Sequence, residues 1–199
     1  MSQSKDLENL VVIASSTGGP KSLQAVVPKL AENLNAAVII VQHMPAGFTF
    51  SLAERLNDLS NIRVKEAEDG ERLNVGTVYI AKGGQHLKVV SKGHLGSFLK
   101  LTDEPPREGV RPCANYTYES LADTPIPFLM GVVLTGMGAD ATAGIRNLKQ
   151  TRKIYTVAQD EKTSIIYGMP KVVAESGLTD RILPLDNIAD EINKKVGVL

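Results

Sequence analysis

Leu10–Val27 reads LVVIASSTGGPKSLQAVV, and the choice of fold rests on it. Leu10 to Ala14 are five consecutive apolar residues, the pattern of a short strand buried on both faces. Two serines, a threonine and two glycines interrupt it. Pro20, suited to the first turn of a helix, then opens a run in which Leu23, Val26, Val27, Leu30 and Leu34 recur at helical spacing. Strand, polar turn and helix are the opening of a β-α-β unit.

Moving outward, Ala37–Gln42 is a second apolar run, HMPAGF breaks the pattern, and Phe50–Leu59 predicts another helix. Between Val64 and Leu101 short alternating pieces with frequent glycine predict an antiparallel β insertion around residues 64–101. The polar loop TDEPPREGVRP leads to a helix expected over Ala114–Ala122, then to a third continuous apolar strand, Phe128–Leu134. A helix over Ala139–Lys149, a strand over Lys153–Val157 and a helix over Ser164–Glu175 complete the pattern. Apolar strands alternating with amphipathic helices define the α/β class: a doubly wound, mostly parallel sheet covered on both faces.

Composition narrows the function. The 199 residues fit one domain, and 22 Lys and Arg balance 22 Asp and Glu, so nothing favours general binding to nucleic acid or to a membrane surface. Apolar runs of roughly five to eight residues are too short to span a bilayer, and the polar start MSQSKDLEN lacks the apolar stretch of a signal peptide. The chain is expected in the cytoplasm, with no membrane insertion. A single cysteine, Cys113, and three scattered histidines give no zinc spacing, so neither a metal nor another cofactor is expected.

In a doubly wound sheet the site lies beyond the carboxyl ends of the strands. The first strand ends in SSTGG, the second in QHMPAGF and the third in TGMGAD, which supply Ser16, His43 and Asp140. A serine hydroxyl needs a base to act as a nucleophile, histidine is that base, and a carboxylate fixes its tautomer. Gly18 and Gly19 suit a tight turn, while Gly136 and Gly138 suit close backbone approach to a substrate. Each signal has an ordinary alternative: SSTGG as an N-cap or phosphate cradle, His43 as a structural residue, Asp140 as a helix cap. A nucleotide- or phosphate-binding module without esterase activity is the competing function, although STGGP is not G-x-G-x-x-G. A scaffold that has lost activity is the third reading.

Across these residues the chain resembles the catalytic domain of the chemotaxis protein-glutamate methylesterase, CheB. The similarity runs from about Leu10 to Ile192 through ASSTGGP, QHMPAGFTFSLAERLN, VKEAEDGERL, VYIAKGGQHL, VVLTGMGADATAGI and AQDEKTSIIYGMP. The resemblance implies a cytoplasmic hydrolase that removes methyl groups from glutamate γ-methyl esters on bacterial chemoreceptors, its protein partners, releasing methanol, and that in many members also deamidates receptor glutamines. It assigns Ser16 as nucleophile, His43 as base and Asp140 as its partner.

By resemblance and position, the Met137 N–H is the first choice of oxyanion donor, with Thr17, Gly18 and Gly138 in support. Thr17 has two readings, a bond to His43 or substrate and the holding of the turn. Met44, Pro45 and Phe48 are expected along the cleft, with plain packing under a loop as the equal alternative for each; Arg111 is read as facing acidic receptor surface or as an ordinary solvated loop side chain, and His86 as a structural or wall residue. Ser15 stands where the family usually has alanine, and RPCAN puts Cys113 and Asn115 where it usually has serine and aspartate. Full-length members carry a regulatory receiver domain. Here residues 1–9 are expected to be a leader or linker remnant and residues 10–199 a single catalytic domain, with no receiver domain present.

Overall fold

The computed structural model describes residues 7–199. Most of the expected leader over residues 1–9 therefore lies outside the described residues, and Asn9 is already the first residue of β1. In chain order the elements are β1 (Asn9–Ser15), α1 (Gly19–Val26), β2 (Ala37–Gln42), α2 (Phe48–Leu59), β3 (Arg63–Glu66), β4 (Thr77–Ile80), β5 (His86–Ser91) and β6 (Ser97–Thr102). The second half of the chain adds α3 (Ala114–Ser120), β7 (Phe128–Val133), α4 (Thr142–Lys149), β8 (Tyr155–Gln159), α5 (Met169–Glu175), β9 (Arg181–Leu183) and α6 (Leu185–Val196).

Seven strands form one sheet in the order β3-β4-β2-β1-β7-β8-β9, and every pairing in it is parallel. Within the 64–101 stretch the antiparallel strands are β5 and β6, a separate two-stranded hairpin that Arg72 joins through a single antiparallel bridge to Phe98. The first half of that stretch, β3 and β4, instead extends the parallel sheet, because Val78, Tyr79 and Ile80 are wholly buried beside β2. Short strands with a hidden apolar face on both sides look alternating in sequence when polar edge residues of β3 precede them.

The side chains alternate between two cores. Leu10, Val12, Ala14, Ile39 and Val41 pack with α3, α4, α5 and the hairpin. Val11, Ile13, Val38 and Ile40 pack under α1, α2 and α6. Fully burying one such Val, Leu or Ile is worth roughly 1.5–3 kcal/mol, so the pattern fixes strand register firmly.

Several helices are shorter than their periodicity suggests. α1 gives way at Val27 to a 3-10 turn containing Pro28, which has no N–H for an α-helical bond. The helix expected over Ser164–Glu175 begins only at Met169, with Pro170 in its first turn. Residues 164–168 cross the sheet edge as an irregular segment that pairs with Gly136 at Tyr167. The helix expected from Ala139 starts at Thr142, and the one expected to Ala122 ends at Ser120 in a 3-10 turn. The structure adds β9 and α6 to the expected elements; a strand of three residues carries little periodicity to announce the pair.

The chain starts in the middle of the sheet, winds outward through β2 and β4, and returns to the other side of β1 with β7. The loops after β1 and β7 therefore diverge. This is the switch point at which doubly wound sheets form a crevice.

Candidate functional site

Strand alternation sorts the polar residues at this edge. Ser15 and Gln42 are cross-strand partners on the α1 face, so the next residues, Ser16 and His43, turn to the opposite face, where α3 packs. Ser15 is wholly buried and its hydroxyl donates to Gln42 Oε1 at 2.6 Å. Ser16 is only partly buried, and its hydroxyl has no hydrogen-bond partner among the described residues. Of the two serines, Ser16 is the one open to the crevice.

The main chain around them is fixed by continuation of the ladders. Ser16 N–H donates to Thr135 O at 3.0 Å and His43 N–H to Ser15 O at 3.1 Å. Gly136 lets these loops approach: a Cβ there would lie 2.7 Å from Ser16 Cβ and 2.5 Å from Met169 Sδ. Gly18, at φ 82°, takes the left-handed turn into α1.

His43 Nε2 lies 2.7 Å from Asp140 Oδ2, with the two side chains 10% and 3% exposed. Asp140 does not cap α4; Ala141 occupies that position at φ 84°. Asp140 Oδ2 also accepts from Ala114 N–H at 2.7 Å, and Oδ1 from Asn115 N–H at 2.9 Å, Ala141 N–H at 2.8 Å and the Cys113 thiol at 3.1 Å. The carboxylate thus closes the N-terminus of α3, where unpaired N–H groups favour an anion. Burial works to raise its pKa, but the bonds from His43 and Ala114 outweigh it and hold the carboxyl below its ordinary value. An ionised Asp140 accepts hydrogen from Nε2, which leaves His43 Nδ1 as the ring nitrogen with a free lone pair.

Cys113 is a thiol donor to the same carboxylate. Burial and then the neighbouring Asp140 charge push its pKa up to about 12, which keeps the thiol in its protonated form at neutral pH. Asn115 Oδ1 accepts from Gly144 N–H at 2.7 Å and its amide donates to Glu108 at 2.9 Å, tying α3 to α4.

The expected support residues lie on the loops that follow β1 and β7. The N–H groups of Thr17, Gly18, Met137 and Gly138 make no backbone hydrogen bond among the described residues. Met137 itself is 72% exposed. Thr17 is exposed, its hydroxyl makes no hydrogen bond among the described residues, and its main-chain carbonyl accepts from Thr135 Oγ1 at 3.0 Å. His43, Met44, Pro45 and Arg111 line one cavity of about 240 Å³ together with Gly109 and Val110. Phe48 stands apart from that cavity, 58% exposed at the start of α2. Arg111 donates to the carbonyls of Asp103 and Glu104. His86 is buried in β5 against Pro105 O and the Tyr116 ring, a structural placement.

Three residues at this edge carry no chemical signature in sequence. Gln42, Thr135 and Gln159 are buried polar side chains at the ends of β2, β7 and β8. Gln159 Oε1 accepts from Thr135 N–H at 2.8 Å, and Thr135 Oγ1 accepts from Ile166 N–H at 2.9 Å. The one signal that could find them is a polar residue closing an otherwise apolar buried strand.

No group of three or more His, Cys, Asp or Glu among the described residues could hold a metal. No helix there is long and apolar enough to cross a membrane.

A doubly wound parallel sheet with a hydroxyl, an imidazole and a buried carboxylate at its switch point is an α/β architecture carrying the kinds of group that a serine hydrolase uses. The CheB methylesterase family model matches residues 11–192, and the chain belongs to that family. It is 47% identical over 189 residues to the protein-glutamate methylesterase/protein-glutamine glutaminase of Geobacillus kaustophilus, covering 94% of this chain and 54% of the relative. The Pyrococcus abyssi protein of the same name is 44% identical, with 95% and 51% covered. The chain spans about half the length of the curated relatives it matches. The crystal structure of the Thermotoga maritima CheB methylesterase catalytic domain superposes with a TM-score of 0.88 at 41% identity, covering 93% of this chain and 97% of that one. The phosphate-binding alternative is not favoured by these relationships.

Proposed function

We propose that residues 10–199 act as a single catalytic domain that hydrolyses glutamate γ-methyl esters on bacterial chemoreceptors in the cytoplasm, and that the same site deamidates receptor glutamines. The carrying observation is the 2.7 Å bond between His43 and an Asp140 carboxylate held by three backbone N–H groups, beside the open hydroxyl of Ser16. In this reading Ser16, His43 and Asp140 are the catalytic residues.

His43 Nδ1 takes the Ser16 proton as Oγ bonds to the ester carbonyl carbon. The carbonyl electron pair moves to oxygen, where the Met137 N–H, with those of Thr17, Gly18 and Gly138 nearby, offers donors; one such donor is worth about 10²- to 10³-fold in rate. The tetrahedral centre collapses, the carbon–methoxy bond breaks, and the imidazolium gives its proton to the leaving oxygen, forming methanol. Water, deprotonated by His43, then cleaves the acyl-enzyme to glutamate and free Ser16. A glutamine amide takes the same path and releases ammonia. Met44, Pro45, Phe48 and Arg111 are proposed as cleft residues that meet the receptor. The additional length of the curated relatives is compatible with a regulatory receiver domain acting beside this one.

Methanol release from methylated receptor cytoplasmic fragments tests the reading. Wild type and Ser15→Ala should release methanol, while Ser16→Ala should fall by several orders of magnitude. Equal activity of wild type and Ser16→Ala would reject Ser16 as nucleophile, and loss in Ser15→Ala alone would move that role by one residue.

A further inference from the structure

We infer that Gln42 is a positioning residue that registers Ser16 against His43, and that Ser15 sets which way its amide faces. This rests on the hydrolytic reading of Ser16 and His43. The Ser16 hydroxyl has no hydrogen-bond partner among the described residues, so the direction of its Cα–Cβ bond depends on how its backbone is held. On the amide side that hold is Thr135 O. On the carbonyl side it is Gln42 Nε2 at 3.0 Å, with Gly19 N–H at 2.8 Å. The second hydrogen of the same Nε2 goes to His43 O at 3.1 Å. One primary amide therefore grips the carbonyls of both the nucleophile and the base, and among the described residues no other side chain hydrogen-bonds to the backbone of both.

The amide has one workable orientation. Its oxygen takes the Ser15 hydroxyl at 2.6 Å, and a flip would set that oxygen against two carbonyl oxygens. Gln42 is 2% exposed, so water does not compete for these bonds. Space is reserved for it as well: a Cβ on Gly19 would stand 1.9 Å from Gln42 Oε1. Glycine at the first position of α1 is explained by the amide lying against the helix start. Ser15 and Gln42 sit opposite each other in the β1–β2 register, so the clamp is assembled by strand pairing itself. Small displacements of a reacting group are expensive, since about 1 Å can cost 10²-fold.

The test uses Gln42→Glu, which keeps the shape and removes both donors, and Ser15→Ala, which leaves the amide oxygen without its donor. Steady-state methyl-ester hydrolysis should show kcat down about 10- to 100-fold in Gln42→Glu with KM changed less than about threefold, because the exposed surface that meets substrate is untouched. Ser15→Ala alone should lose roughly 3- to 10-fold in kcat, and in a Gln42→Met background, where the amide is already gone, it should cause no further loss beyond that of Gln42→Met. In proton NMR the low-field His43 Nε2–H resonance should shift or broaden in Gln42→Glu.

A kcat within about twofold of wild type together with an unchanged resonance overturns the inference. If Gln42→Glu does not fold, Ser15→Ala carries the test, and an unaltered kcat there overturns it equally. Should wild type prove inert on every ester, the hydrolytic reading fails, and the His43 resonance still decides whether Gln42 positions the ring.

Discussion

Replacing Asp140 by asparagine changes one atom type in a side chain that receives five donors. Oδ1 accepts from Cys113, Asn115 and Ala141, and Oδ2 from His43 and Ala114. If the new NH2 took the Oδ1 place it would face two backbone N–H groups that cannot turn away. At the Oδ2 place it faces one, Ala114 N–H, and an imidazole that can change tautomer. The second arrangement is the cheaper, and it makes His43 accept at Nε2 and carry its proton on Nδ1, where it cannot take one from Ser16. Wrong-tautomer losses in a serine triad run to about 10⁴-fold in kcat.

The unpaired Ala114 N–H and the loss of charge-assisted bonds add an expected stability cost of roughly 2–4 kcal/mol. That cost should depend on pH. Asp140 is held below its ordinary value of 3.8, so its ionisation stabilises the fold fully above that value and the contribution is lost as pH falls through the lower folded value. Ester hydrolysis at neutral pH and urea unfolding at pH 7, 5 and 3 measure both effects. The variant should lie well below wild type at pH 7 and 5, and the gap should narrow toward pH 3. Activity within about tenfold of wild type, or a gap that widens on acidification, would refute the reasoning.

Further outcomes are expected elsewhere. Gly136→Ala should lower stability by about 1–3 kcal/mol through overpacking and depress kcat, because its Cβ would meet Ser16 Cβ at 2.7 Å; unfolding and kinetics of one preparation report both. Met137→Ala should keep kcat within about threefold, since the proposed donor is a backbone N–H and the side chain is mostly exposed. Cys113, with its pKa pushed up to about 12, should resist iodoacetamide at pH 8 in the folded protein, with a rate reduced roughly 10³-fold or more, and react once urea unfolds the chain. Tyr118→Phe should cost about 1 kcal/mol by removing the buried bond to Val12 O, and leave hydrolysis unaltered.

Much of the site is legible in the sequence because strand ends in a doubly wound sheet are few and their chemistry is conspicuous. Ser16 and His43 come within two residues of an apolar run and Asp140 in the loop that follows one, and the sheet brings the ends of such runs to one edge. The residues that escape are of two kinds. Gln42, Thr135 and Gln159 act through backbone hydrogen bonds across strands, and no spacing in the sequence reports a partner on a distant strand. β3, β4 and β9 are only three or four residues long, too short to show a period, so membership of the parallel sheet depends on neighbours. Asp140 shows the mixture: its pairing with His43 comes from the motif, whereas its closure of α3 depends on where α3 comes to rest.

The strand order also sets when the site can come into being. β1 and β2 are neighbours in sequence and in the sheet, so Ser16 and His43 can be brought side by side soon after they leave the ribosome. β7 pairs Phe128 with Asn9, a closure across more than half the chain, and contacts of such long sequence separation form late. Met137, Gly136 and Asp140 arrive only with that strand. During synthesis an early β-α-β fragment would hold a serine and a histidine with no carboxylate and no β7 backbone beside them. Under the proposed reading, hydrolysis would become possible only once β7 docks, so it would report that the three central strands β2, β1 and β7 have come together.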